Sequence, residues 1–170
     1  MNQLEQFQGI HTFIFDVDGV LTNNEVLVTE DGQLLRRMNV RDGLAIKLAI
    51  QAGYRVCIIT GGKSEGVRKR LEGLGVQDIY LNQQDKLDAY HEYIAAHELD
   101  QEGILYMGDD MPDYPVMRRV GLPTCPRNAC REILEIATYI SPQNGGEGCV
   151  RDVIEKVMRL HDKWQDFLAV

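Results

Sequence analysis

Thr12-Phe13-Ile14-Phe15-Asp16-Val17-Asp18-Gly19-Val20-Leu21-Thr22 is the stretch that decides the fold. Thr12–Phe15 is a short apolar, β-favouring run that stops on a carboxylate. An apolar run without polar alternation is the pattern of a strand covered on both faces. Similar runs recur downstream: Arg55–Ile59 ends at Thr60-Gly61-Gly62, Asp78–Leu81 is a third short strand, and Ile104–Met107 ends at Gly108-Asp109-Asp110. Helical stretches lie between them. Asp42–Ala52 carries Leu44, Ala45, Leu48 and Ala49 on one face with Gly53 past its end; Ser64 caps a helix to Leu74 that Gly75 stops; Gln84–His97 and Pro112–Val120 follow. A segment near Leu122–Thr124, a helix near Ala129–Ala137, a strand near Tyr139–Ile140 and a last helix over Val150–Leu160 complete the chain. The alternation predicts an α/β fold: a Rossmann-like parallel sheet with helices on both faces, formed by residues 1–170 as a single domain. In such sheets ligands bind beyond the carboxyl ends of the strands. Asp16, Thr60 and Asp109, each placed directly after or one residue beyond an apolar run, are therefore expected to meet at one edge.

One segment breaks the alternation. Glu25–Thr29 and Gln33–Asn39 flank Glu30-Asp31-Gly32, and Asp-Gly is a strong hairpin signal. The reading is a β-hairpin over about 25–40, projecting from the same sheet edge.

At 170 residues with 44% hydrophobic content the chain is long enough for one core. The net charge of −8 argues against nucleic acid or an anionic membrane as partner, but not against a small phosphorylated substrate, because a bound divalent cation reverses the field locally. The N-terminus has no basic and apolar signal segment, and no apolar run approaches a bilayer span, so the chain reads as cytoplasmic. Cys57, Cys125, Cys130 and Cys149 are scattered without metal-ligand spacing and read as small buried hydrophobes.

Each chemical motif has a bland alternative. Asp16-Val17-Asp18-Gly19 fits a polar turn after a strand, but paired carboxylates also bind Mg²⁺, a hard cation, and a carboxylate can attack phosphorus. Gly19 allows a sharp turn and lets backbone N–H groups approach phosphoryl oxygens. Thr60-Gly61-Gly62 reads either as a strand-to-helix turn or as a hydroxyl and backbone donors for a phosphoryl oxygen. Lys86, early in a helix, reads on its own as a solvated surface residue. Asp109, Asp110 and Asp113 read as acids capping a helix N-terminus or as metal ligands.

In their order and placement these residues resemble the four motifs of the haloacid dehalogenase superfamily, and the likeness spans nearly the whole chain. It implies that Asp16 is the nucleophile and a metal ligand. Asp18 would protonate the leaving alcohol, later take a proton from water, and offer its backbone carbonyl to Mg²⁺. Thr60 would hold the phosphoryl group, Lys86 would balance the charge of Asp16 and phosphate, and Asp109 would be a direct metal ligand. Asp110 and Asp113 would act through water on the metal or by positioning Lys86. The acid at position 18 favours phosphoryl transfer over dehalogenation. The gaps between motifs have no room for a cap domain, so the hairpin or a neighbouring subunit must wall the site.

Leu21-Thr22, the hairpin, Asn39-Val40-Arg41-Asp42-Gly43, the Thr60 turn with Val67-Arg68, Tyr106–Asp113 and Gly145–Arg151 look like the 3-deoxy-D-manno-octulosonate 8-phosphate phosphatase family. That resemblance implies a cytoplasmic homotetramer in lipopolysaccharide precursor synthesis, with hairpins packed together and a C-terminal segment approaching a neighbour's site. Gly145–Gly148 and Arg151 match that segment. Gly61 and Gly62 would border the substrate, and Arg68 would anchor the sugar-acid carboxylate. An alternative within the subgroup is a nonulosonate 9-phosphate phosphatase acting on sialic-acid-like sugars; Gly62, where those enzymes can carry an acid, tilts the reading to the octulosonate. A non-catalytic receiver-type phospho-acceptor fits poorly, because receivers place their phosphorylated Asp on a later strand.

Overall fold

The computed structural model describes residues 2–164. Six strands form one parallel sheet: β1 (Thr12–Phe15), β4 (Arg55–Ile59), β5 (Asp78–Tyr80), β6 (Ile104–Met107), β7 (Leu122–Cys125) and β8 (Tyr139–Ile140), in the spatial order β5-β4-β1-β6-β7-β8. Two further strands, β2 (Leu27–Val28) and β3 (Leu34–Leu35), form a separate hairpin. The helices are α1 (Gln3–Gln8), α2 (Val40–Gln51), α3 (Glu65–Gly73), α4 (Lys86–Ala96), α5 (Tyr114–Met117), α6 (Arg131–Ile136) and α7 (Cys149–Leu160).

The chain builds outward from β1 to β4 and β5, then returns to lay β6 on the other side of β1. The order reverses there, and this is where open sheets bind ligands. The register is level across the reversal: Phe15 pairs with Ile58 of β4 and with Met107 of β6. The residues just beyond those strand ends, Asp16, Thr60 and Gly108-Asp109, thus emerge side by side.

All four β1 residues are buried, as a strand covered on both faces must be. Phe13 and Phe15 point into a core shared with α1, α2, α3 and α7, including Phe7, Ile46, Leu71, Val153 and Ile154. Ile14 points the other way, toward Cys57, Tyr90, Tyr106 and Met117 under α4 and α5. Each such side chain taken fully out of water contributes about 1.5–3 kcal/mol, so the sheet is anchored from both faces. The cysteines are all free; Cys57, Cys125 and Cys149 are buried and Cys130 is partly so.

The expected element boundaries hold to within a few residues, with three differences. The N-terminal helix α1 is an addition to the expected elements. Asn2 accepts the Glu5 N–H at 2.9 Å and Glu5 takes the Asn2 N–H at 3.1 Å, a capping box whose Asn-x-x-Glu spacing is visible in the chain. The stretch after Asp110 is a 3₁₀ turn over Met111–Asp113 running into a four-residue helix, rather than one longer helix.

The hairpin is also shorter than the expected 25–40. Its ladder is confined to Leu27 against Leu35 and Val28 against Leu34, and Val40 already belongs to α2. Val40 is helical because the Asn39 side chain accepts the N–H groups of Arg41 and Asp42 and starts the helix there. Asp31-Gly32 does form the turn: Gly32 has φ +84° and donates to the Thr29 carbonyl at 2.9 Å.

Helix α7 has Gly148 before its first residue and so lacks a side-chain cap of its own. Asp42 of α2 stands in, accepting the Arg151 N–H at 2.9 Å. Its carboxyl is otherwise buried, and that burial, only partly offset by the backbone donors of Arg151 and Gly148, lifts its pKa to about 6.

Candidate active site

Asp16, Asp18, Thr60, Gly61, Gly62, Lys86, Asp109, Asp110 and Asp113 line one cavity of about 340 Å³ at the carboxyl end of the sheet. Asn24, Gln83, Gln84 and Pro112 complete its wall.

The centre is a buried charge network. Lys86 Nζ lies 2.9 Å from Asp16 and 2.7 Å from Asp113. Lys86 is the first residue of α4, an unfavourable place for a cation because the helix dipole is positive there. It is also buried. Burial alone would lower its pKa, but the two carboxylates outweigh that and hold it above the ordinary lysine value. The ammonium is therefore fixed as a charge and aimed between its partners.

Asp113 is what aims it. Its Oδ1 accepts from Lys86 and from the Tyr106 hydroxyl at 2.6 Å; its Oδ2 accepts the N–H groups of Asp109 at 2.9 Å and Asp110 at 3.2 Å. Every lone pair of that carboxylate is engaged. Gly108 is needed for this contact, since a Cβ there would overlap the Asp113 side chain. Asp110 caps the turn that carries Asp113, donating its own N–H and accepting the Met111 N–H at 2.8 Å.

Asp16, Asp109 and Asp113 place carboxylate oxygens within 4.8 Å of one another. With Asp113 saturated, Asp16 and Asp109 are the pair with free lone pairs facing the cavity. Among the described residues no donor reaches the Asp109 carboxylate. Burial first, then the charges of Asp113 and Asp110, push its pKa up to about 7. Asp16 is raised as well, by burial and by Asp113, against the pull of Lys86. Two buried carboxylates, raised by burial first and by neighbouring carboxylates next and open on one side, suit a hard divalent cation, which takes oxygen ligands and offsets that crowding of negative charge. The residues present fit Mg²⁺.

The loops that hold these groups depend on close backbone approach. Gly19 has φ +86°, and a Cβ there would overlap the Asp109 carboxylate. Thr60 is buried; its hydroxyl accepts the Gly62 N–H at 3.2 Å, and its carbonyl accepts the Gln83 N–H at 3.0 Å.

Arg68 and Arg151, expected to contact substrate, stand apart from this cavity within one chain. Arg68 lies on the outer side of α3 between Glu65 and Glu72, at 3.7 and 3.9 Å. Arg151 pairs with Glu155 at 3.2 Å and lies 5.3 Å over the Trp164 ring. The glycine segment before it packs on its own chain: the Gly146 N–H donates to the Val20 carbonyl at 2.9 Å, and Cys149 Sγ lies 3.2 Å from the same oxygen.

Beyond the cavity wall, two residues that hold the site's carboxylates had no expected role. Tyr106 looks like one more apolar strand residue, and only its hydroxyl on Asp113 gives it a role. Arg36 lies on the chain leaving β3 and grips Asp18, Nε to Oδ1 at 2.6 Å and Nη2 to Oδ2 at 3.1 Å. Its position in Leu34-Leu35-Arg36-Arg37 offers no spacing by which to find it.

The doubly wound sheet with acids beyond β1 and β6, a hydroxyl beyond β4 and a buried lysine define a haloacid dehalogenase-like hydrolase, and the family model of that description matches residues 73–154. The 3-deoxy-D-manno-octulosonate 8-phosphate phosphatase KdsC of Yersinia pestis is 36% identical over 160 residues, covering 94% of this chain and 86% of the relative. The crystal structure of that phosphatase from Yersinia pestis superposes with a TM-score of 0.93 over 95% of this chain and 88% of its own. The phosphatase from Moraxella catarrhalis, crystallised with magnesium ion, phosphate ion and KDO, is 30% identical with a TM-score of 0.93 over 98% of this chain and 95% of its own. This chain belongs to the 3-deoxy-D-manno-octulosonate 8-phosphate phosphatase family.

Proposed function

We propose that the protein hydrolyses 3-deoxy-D-manno-octulosonate 8-phosphate to the free sugar acid and phosphate, with Mg²⁺, through a phosphoryl group carried on Asp16. The observation that carries this reading is the buried Lys86 held between Asp16 and Asp113, beside an Asp109 carboxylate free to take a cation.

Asp16 attacks phosphorus with a carboxylate oxygen as the bond to the sugar oxygen breaks. Its Oδ1 is oriented by the Val17 N–H at 2.7 Å and its Oδ2 by Lys86. Asp18 gives a proton to the departing alkoxide. It then takes one from the water that attacks phosphorus and frees Asp16. Thr60 and the Gly61-Gly62 backbone hold the phosphoryl oxygens, and Lys86 offsets the repulsion between an anionic nucleophile and an anionic ester. Asp16, Asp109 and the Asp18 backbone carbonyl would hold Mg²⁺, which supplies charge neutralisation and orientation to the transferring group. Asp113 and Asp110 position Lys86 rather than touching the reacting atoms.

The cavity is open and capless, so a neighbouring subunit is needed to wall it. Val26, Leu27, Val28, Leu34 and Leu35 of the hairpin are all exposed, and apolar surface of this kind supports a homotetramer with the hairpins in contact. Any contribution of Arg68 or Arg151 to substrate then comes across a subunit boundary. No helix among the described residues is long and apolar enough to cross a membrane. The protein works in the cytoplasm, supplying a lipopolysaccharide precursor.

Steady-state kinetics with Mg²⁺ on the eight-carbon and nine-carbon keto-acid phosphates test the reading. The expected result is a kcat/KM at least about tenfold higher on the octulosonate 8-phosphate, and a preference for the nonulosonate 9-phosphate would overturn it. Multiple turnovers per chain also dispose of a mere phospho-acceptor.

A further inference from the structure

Arg36 is the residue on the hairpin side of the site with no place in the mechanism so far. Among the described residues, it carries the only guanidinium in contact with a proposed catalytic carboxylate. The contact is a two-point fork on both Asp18 oxygens, and the Arg36 side chain is only 9% exposed. The Asp18 side chain is 36% exposed, so the pair is partly screened by solvent, but its two-point geometry sets it apart from a single-contact surface ion pair. Arg36 reaches Asp18 over Gly62: a Cβ on Gly62 would lie 3.3 Å from Arg36 Nη2 and 3.5 Å from Asp18 Oδ2. A side chain at position 62 would therefore compete for the ground that Arg36 occupies.

While the fork is closed, both oxygens of Asp18 are engaged and turned toward the hairpin. A sugar acid brings a second planar carboxylate into the cavity, with the same geometry as the group that Arg36 already holds. We propose that Arg36 reads the carboxylate of the sugar acid, and that by leaving Asp18 to do so it ties recognition of the acid to release of Asp18. Asp18 is the stand-in for that carboxylate in the free enzyme. Arg36 is then a specificity residue toward substrate and a positioning residue toward Asp18. The proposal rests on the assignment of a sugar-acid phosphate as substrate.

Arg36 directly follows β3 (Leu34–Leu35) in the chain, so it ties the site to the hairpin covalently. Arg36 also lines a second cavity, of about 570 Å³, together with Leu34, Leu35, Met38 and Val67, so its side chain is not packed in on every side.

The test compares two substrates with a terminal phosphomonoester: the octulosonate 8-phosphate, which carries a carboxylate, and ribose 5-phosphate, which does not. Arg36→Ala is expected to lower kcat/KM on the octulosonate roughly thirtyfold, chiefly through KM, because a guanidinium–carboxylate pair is lost. On ribose 5-phosphate the same variant is expected to raise kcat, because Asp18 no longer has a competing partner. Arg36→Lys, with charge but no fork, is expected to fall between parent and Ala in its preference for the acid. Light scattering on each variant checks that assembly is unchanged. Equal losses on both substrates would reduce Arg36 to a structural tie and overturn the proposal, as would an unchanged KM for the octulosonate. If the parent itself does not prefer the octulosonate phosphate, the assignment of substrate fails first, and the two failures are told apart.

Discussion

Gly145 sits against Gly19 so closely that a Cβ added to it would overlap the Gly19 carbonyl oxygen. The glycine segment ahead of α7 is thus a buttress for the loop that carries Asp16 and Asp18. Gly145→Ala is expected to force that loop outward, costing roughly 1–3 kcal/mol and lowering kcat with it. Gly73, at the end of α3 with open space around it, is the control. Gly73→Ala should leave kcat alone and stabilise by up to about 1 kcal/mol. Thermal melts and kinetics on the two variants check this; an unaffected Gly145→Ala would remove the buttress.

Asp16→Asn keeps the shape of the side chain and removes the charge of the proposed nucleophile. Turnover is expected to fall about 10⁴-fold or more while the fold persists. Activity within tenfold of the parent, in protein whose circular dichroism is unchanged, would end the covalent mechanism.

Lys86 and Asp113 act as one unit. Lys86→Met and Asp113→Asn should each lower kcat by about 10²-fold or more, and the double variant should be little worse than either alone. Each single change removes one charge from the buried network, leaving Lys86 with Asp16 alone or Asp113 with only the Tyr106 hydroxyl and two backbone N–H groups, so each is also expected to lower the melting temperature. Fully additive losses in the kinetic cycle would show that the two residues work separately.

Much of this was legible from residue types. β1, β4 and β6 read directly, because strands buried on both faces are continuous apolar runs and their ends are marked by Asp16, Thr60 and Gly108. The site followed from the rule that such ends converge. What stayed hidden depended on side-chain direction in space. Tyr106 sits in an apolar run, and only the fold turns its hydroxyl onto Asp113. Arg36 reaches Asp18 across 18 positions, with no period linking them. Arg68 and Arg151 were placed near substrate by likeness alone; their own neighbours, Glu65, Glu72 and Glu155, are the helical i±3 and i±4 partners that hold such arginines at a surface. The hairpin's turn was readable from Asp31-Gly32, but the early start of α2 at Val40 depended on the Asn39 side chain capping it.

Metal dependence should change with pH in a definite direction. Asp109 titrates at about 7 in the metal-free protein, well above its ordinary value of 3.8, mainly because it is buried and next because Asp113 and Asp110 repel its charge. Mg²⁺ requires the carboxylate, so its apparent affinity is expected to fall by roughly tenfold per pH unit below about 7. A carboxyl raised in the folded state favours folding in its protonated form, so metal-free stability gains from Asp109 as pH falls from about 7 toward 4. The increment in melting temperature given by Mg²⁺ should therefore be large at pH 8 and nearly absent at pH 5.5. An equal increment at both would contradict the assignment of Asp109 as a ligand, and full activity after exhaustive chelation would contradict the metal itself.

The hairpin offers the last test. Leu27 and Val28 are about two-thirds exposed, at 66% and 63%, and Leu34 and Leu35 are about half exposed. Only two residue pairs hold the ladder together, and a two-stranded hairpin of that size is marginal in water on its own. Packing against hairpins of other copies removes both problems at once. It would also supply a wall for the capless site. Val28→Glu with Leu34→Glu should place like charges across one pair and at the centre of the proposed assembly, where desolvation would make them costly. The variant is expected to sediment as a smaller species than the parent. Its kcat/KM on the octulosonate 8-phosphate should fall about tenfold or more, the size of effect that removing part of a substrate pocket's wall produces. Hydrolysis of a small generic phosphate ester should fall less, because Asp16, Asp18, Lys86 and Asp109 all come from one chain. A parent protein that is monomeric at working concentration, with full activity on the sugar-acid phosphate, would exclude the tetramer and with it the shared wall.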